Sequence, residues 1–248
     1  MKYLHDSTTP SLPHIQTLMG QRSDNFVHAF DGAEIDWSVL LGSAIDSVPD
    51  HWVSLYRECS LEELVRIARE GLAAPLAEMR PSEMRREMEI LDRFRPERLV
   101  ERGVSRLSAI FAAPAPENVP SLSFRSERLI LEIKTDPAAC FVGDMDFITG
   151  LIPFLGAYPA DVGRFQGAFS KYWDSVMPLA DFFGRYVKVR QGEACHWIAA
   201  GGAGEGRPKI FFSPEILIMK PVISQKHLQV VGRIGEQEAS LEPYEADS

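Results

Sequence analysis

The sequence predicts an α+β fold, on three observations. Short runs rich in branched and aromatic residues read as strands at 51–58, 128–134, 209–219 and 228–234. A helix with start and stop signals lies between Ser60 and Gly71. Strands and helices then intersperse without the steady alternation of a parallel α/β sheet. With 248 residues, 45% hydrophobic and 25% charged, the chain has the composition of a soluble globular protein and ample length for a core.

Taken in order, residues 1–22 are polar, carry Pro10 and Pro13 and lack a period, which reads as an irregular arm. Helical fragments follow at 25–30 and 35–41, and Val48-Pro49-Asp50 makes a turn. On the strand at 51–58, Val53, Leu55 and Arg57 share one face and Trp52, Ser54 and Tyr56 the other. Arg57 therefore points the way of two aliphatic residues, a costly position without an anionic partner unless its head snorkels to water. Ser60-Leu-Glu-Glu63 is a capping box, with Leu61, Leu64, Ile67 and Ala68 at helical spacing until Gly71. Residues 82–100 read as a charged helix with a narrow stripe of Met84, Met88, Leu91 and Phe94, its mixed Glu and Arg forming a solvated face.

Residues 105–111 read as a strand whose apolar face is Leu107, Ala109 and Phe111, with Ser108 and Ile110 opposite. Pro114, Pro116 and Pro120 stiffen the loop after it, and strands follow at 128–134 and 140–144. Gly150, Pro153, Gly156 and Pro159 break up 145–165, after which 165–187 predicts one long helix with Tyr172, Trp173, Phe182 and Phe183 in its core stripe. A strand at 193–198 and a glycine loop at 201–206 lead to the strand at 209–219. There Glu215 shares a face with Phe211 and Leu217, while Phe212, Ile216 and Ile218 fill the other. Pro214 cannot donate to a ladder, so pairing starts after it or lies at an edge, and Glu215 sits where irregular chain becomes strand. A carboxylate there either points to solvent or is paired, hydrogen-bonded or facing a cleft.

The formal net charge is −9. Five acids (Glu236, Glu238, Glu242, Glu245 and Asp247) fall in a tail after Arg233 that has no basic residue, so the body is only mildly acidic and broad nucleic-acid binding by net charge is disfavoured. Cys59, Cys140 and Cys195 are odd in number and scattered, which favours free thiols in a reducing compartment. Neither a signal core nor a membrane-length apolar run stands in the sequence, so a cytoplasmic site of action with no membrane partner is the expectation, with delivery as an effector left open. The six dispersed histidines and unpaired cysteines argue against a metal site. Gly103-Val-Ser105 lacks the closing glycine of a nucleophile elbow. The loop at 201–206 is followed by Pro208 and a strand, not by the helix a dinucleotide fingerprint needs.

What remains is an ordered set: Arg57 closing an early strand, Ser108 in the middle of the chain and Glu215 opening a late strand. Leu55-Tyr56-Arg57, followed by Ser60-Leu-Glu-Glu-Leu-Val-Arg-Ile and Gly71-Leu72, resembles the opening of mono-ADP-ribosyltransferases of the cholera-toxin-like class. Pro214-Glu-Ile-Leu-Ile218, with Leu228-Gln-Val-Val231 downstream, is similar to that class's last motif, and residues 105–111 to its Ser-containing strand. The resemblance spans 52–234. It implies a split β-sandwich with flanking helices and an NAD cleft, a catalytic domain over 51–235, a helical or irregular extension over 1–50 and a disordered acidic tail over 236–248.

The resemblance also implies roles. Glu215 would stabilise the positive charge that develops on the ribose as nicotinamide leaves. Arg57 would grip a phosphate or ribose face, and Ser108, with Ser105 as its rival, would steady Glu215 or the nicotinamide. Tyr56, Phe111 or Tyr172 would stack on the nicotinamide. Ser213 stands where arginine-modifying relatives carry a Glu or Gln that orients the acceptor, which turns the expectation away from arginine. NAD enters as a substrate with no metal, and the acceptor is a protein side chain, nucleic acid or another molecule. The implied setting is a toxin, an effector or a phage-related enzyme, with room for an inhibitory or delivery partner. Rival readings are an NAD glycohydrolase, an RNA 2′-phosphotransferase-like enzyme (disfavoured because its relatives use His where Arg57 stands), and a non-catalytic interaction protein in which Arg57 and Glu215 pair internally.

Overall fold

The computed structural model describes residues 5–6, 48–74, 82–119, 128–151, 162–191, 194–200 and 211–234. The glycine loop at 201–206, the acidic tail at 236–248 and most of the expected extension over 1–50 lie outside the described residues. Within the predicted irregular lead-in, β1 (His5–Asp6) is a two-residue strand. The branched and aromatic run after the turn at 48–50 forms β2 (Val53–Cys59). Ser60 then caps α1 (Leu61–Glu70) by accepting the backbone N–H of Glu63 at 3.1 Å. Gly71 ends the helix at φ 83°, where a Cβ would lie 2.6 Å from the carbonyl oxygen of Ile223, so no other residue fits before β3 (Leu72–Ala73).

Prolines redraw two predicted elements, and a third is cut at a serine. The helix expected over 82–100 divides into α2 (Ser82–Asp92) and α3 (Glu97–Val100), because Pro96 cannot occupy a helix interior. After β4 (Ile110–Ala112), β5 (Arg128–Thr135) and β6 (Cys140–Asp144), the helix expected over 165–187 becomes α4 (Val162–Ser175), β7 (Met177–Pro178) and α5 (Leu179–Arg185), interrupted at Pro178. β8 (Tyr186–Gln191) and β9 (Ala194–Ala199) follow. The strand expected over 209–219 is cut at Ser213 into β10 (Phe211–Phe212) and β11 (Pro214–Ile218), with β12 (Val222–Ile223) and β13 (Leu228–Ile234) completing the chain. β4 is also shorter than the predicted strand over 105–111. The Ser105 hydroxyl accepts the Leu107 N–H at 3.1 Å, a local bond that draws residues 105–108 into a turn.

Every strand pairing among the described residues is antiparallel, and the fold is α+β. One sheet runs β1-β13-β5-β2, a second β4-β11-β6-β7 and a third β10-β9-β8, while β12 and β3 form a ribbon. Tyr56 and Ala113 exchange both backbone hydrogen bonds at 2.9 and 2.6 Å, which joins the first two sheets edge to edge.

The alternation of β11 separates two cores. Ile216 and Ile218 face a core shared with Leu55, Leu131, Ile133 and Val142, between the two large sheets. Leu217 faces the other, built with Phe141 and the α4 residues Phe169, Tyr172 and Trp173. Across the join, Tyr56, Ala113, Glu215 and Gly143 stand in one row, since Glu215 pairs Gly143 and Ile216 pairs Ala112. Directly opposed residues of an antiparallel ladder project to the same side. Tyr56 and Glu215 thus share a face about 10 Å apart, two inter-strand spacings, and Arg57 projects to the opposite face.

Candidate functional site

Glu215 is the second residue of β11, on the face covered by α4. Its Oε2 accepts from the Tyr172 hydroxyl at 2.7 Å and from Nη1 of Arg106. That same nitrogen lies 3.0 Å from the Tyr172 hydroxyl and 3.7 Å from the Met145 sulfur. The Arg106 guanidinium sits 4.9 Å from the centre of the Phe111 ring and 5.3 Å from that of Tyr172. Only 5% of the Arg106 side chain and 12% of that of Glu215 is exposed, so this is a buried ion pair with two aromatic neighbours.

The turn at 105–108 delivers the arginine. Asp92, the last residue of α2, accepts from the Ser105 hydroxyl through Oδ2 and from the Arg106 backbone N–H through Oδ1 at 3.2 Å. Gly143 provides the seat for the tyrosine. A Cβ at Gly143 would meet the Tyr172 ring at 2.9 Å, so the bare backbone lets that ring lie on the sheet beside Glu215. Gly143→Ala is expected to push Tyr172 off its hydrogen bond and to cost roughly 1–3 kcal/mol, the range for overpacking. Denaturant unfolding measures it, and an unchanged midpoint contradicts the assigned seat.

Burial works against the charge of Arg106, but Glu215 and Tyr172 outweigh it and raise its pKa above the ordinary arginine value. Burial pushes Tyr172 well above the usual tyrosine pKa, with Glu215 adding to the shift against the opposing Arg106, so Tyr172 remains a proton donor across neutral pH. Asp144, one residue beyond Gly143, accepts from the Ser213 N–H at 3.0 Å and the Asp146 N–H at 3.2 Å. Burial, assisted by Asp146, nevertheless raises its pKa. A carboxyl whose pKa is raised by folding favours the folded state below its unfolded value, and that advantage is lost as pH climbs through the folded value. Asp144→Asn is therefore expected to be at least as stable as the wild type at pH 7. Its relative gain should vanish below about pH 4, near the unfolded aspartate value, in melts across pH.

The structure gathers some predicted residues and parts others. Glu215, Tyr172 and Phe111 converge, and Tyr56 shares their face. Ser105 serves the site indirectly, through Asp92 and the backbone that carries Arg106. Arg57 is not brought to Glu215: it projects to the opposite face, where Nη2 donates to Oε1 of Glu63 at 2.7 Å. The capping-box glutamate is its anionic partner, six residues away on the next helix. Ser108 stands exposed on the turn with its hydroxyl 3.5 Å from the Ser105 carbonyl, and it makes no hydrogen bond to Glu215. Ser213 is fixed through its backbone, donating to Asp144 and accepting from Met145 at 2.8 Å.

Sequence reasoning missed Arg106, Asp92 and Gly143. Arg106 carried a usable signal, a lone arginine within Val-Ser-Arg-Leu-Ser-Ala-Ile-Phe, which is the burial argument applied above to Arg57. Gly143 and Asp92 had none, because their roles depend on contacts from distant segments. Among the described residues, no group of three or more His, Cys, Asp and Glu is placed to hold a metal ion, and no helix is long and apolar enough to cross a membrane. No family model, curated protein or solved structure matches the chain.

Proposed function

We propose that the chain is an NAD-dependent mono-ADP-ribosyltransferase, moving ADP-ribose from NAD to a protein or nucleic-acid acceptor with release of nicotinamide, and that Glu215 is its reactive-centre carboxylate. One observation carries this reading. Both bonds to Glu215 converge on Oε2, and Oε1 has no protein donor among the described residues. A carboxylate clamped at one oxygen and open at the other is oriented in advance for a ribose hydroxyl or a developing oxocarbenium, and a mostly dry setting strengthens that interaction. Two antiparallel sheets sharing one core agree with the split β-sandwich that this activity uses. Arg57 is held by Glu63 on the other face, and the reading does not rest on it. Incubation with NAD tests the proposal. Nicotinamide release accompanied by ADP-ribose on an acceptor supports it, release with free ADP-ribose alone makes the protein a glycohydrolase, and no release overturns both.

A second reading rests on a different observation. The Arg106–Glu215 pair balances its charges internally, as a structural pair in a non-catalytic interaction protein would. In that reading Glu215 variants alter melting and nothing else.

A further inference from the structure

We propose that the Nε–Nη2 edge of Arg106 is a bidentate binding position for a ligand oxyanion, phosphate or carboxylate. All hydrogen bonds of this guanidinium among the described residues leave from Nη1, toward Glu215, Tyr172 and Met145. Nε is buried without a partner, and Nη2 makes no hydrogen bond among the described residues. These two nitrogens form the side-on fork of an arginine, whose parallel N–H groups match the two oxygens of a carboxylate or phosphate.

Three restraints fix that fork. Glu215 ties down the far nitrogen, the Phe111 and Tyr172 rings lie against the group, and Asp92 holds the backbone from which it springs. A buried donor left open costs stability, and a ligand acceptor removes that cost. Arg95 also has a buried, unpartnered Nε, but its Nη1 is spent on the Val104 carbonyl at 2.6 Å, and neither a carboxylate at hydrogen-bond distance nor an aromatic ring holds it in the same way. The position adjoins Glu215, so an occupant would lie against the reactive centre proposed above. The binding claim stands on Arg106 alone and does not require NAD turnover.

Calorimetry with inorganic pyrophosphate and, separately, succinate tests it on the full chain, comparing the wild type with Arg106→Lys and with Arg57→Lys as control. Lysine keeps the charge facing Glu215 and removes the planar fork. The wild type and Arg57→Lys are expected to bind at least one probe, and Arg106→Lys to bind it at least tenfold more weakly. Which probe binds tells phosphate from carboxylate. If Arg106→Lys does not fold, the double variant Arg106→Gln with Glu215→Gln removes the fork while leaving no stranded charge, and the same loss is expected. Failure of the wild type to bind either probe, or equal binding by the fork-less variant, overturns the proposal. Pyrophosphate binding without nicotinamide release would uphold it while the transferase reading fails.

Discussion

Arg106→Ala is expected to lower stability by about 3–5 kcal/mol, the usual cost of removing one partner of a buried ion pair. For a chain of this size that corresponds to a fall of roughly 10 °C in melting temperature. Glu215 would remain mostly buried with its principal charge partner gone, Tyr172 would lose one hydrogen bond, and the space between the Phe111 and Tyr172 rings would empty. Thermal melting at neutral pH checks it. A loss under 1 kcal/mol would mean that the pair is far more solvated than its burial implies.

Glu215→Gln carries the second large effect. Glutamine keeps an oxygen to accept from Tyr172 and Arg106, so the fold should survive with a smaller loss than Arg106→Ala. In the proposed transferase, what disappears is the negative charge that would face the ribose as nicotinamide departs. Removing one such electrostatic stabiliser typically costs about 10²–10³ in kcat. The effect should fall on kcat more than on KM, because the interaction strengthens only as charge develops. Equal losses in stability and activity would instead make the glutamate a structural partner.

Much of the fold was legible in the sequence because its signals are local. The alternation at 53–59 and 128–135, the Ser60 cap and the Gly71 stop each lie within a few residues of the element they define. The failures came where one residue overrode a periodic pattern. Pro178 split a helix whose aromatic stripe continues on both sides, and Ser213 ended one strand just before Pro214 began another in a different sheet. The site was half legible. Glu215 stood out as a carboxylate in an apolar strand, and Tyr172 entered as one candidate aromatic among several. The partner of Glu215 did not, because two arginines sat among apolar residues and only the folded structure tells them apart. Arg57 finds Glu63 six residues away, whereas Arg106 crosses from a turn held by Asp92 to a strand 109 residues later.

The measurement that tests the central claim most directly runs melting and nicotinamide release in parallel on the wild type, Glu215→Gln, and the double variant Arg106→Gln with Glu215→Gln. Replacing both charges by amides leaves a neutral, hydrogen-bonded pair, so the double variant should melt far above Arg106→Ala. If Glu215 is the reactive carboxylate, the wild type releases nicotinamide from NAD and both glutamine variants, folded, do not. A wild type that releases none, or a double variant whose activity matches the wild type, would contradict the account and leave the buried pair as a structural element alone.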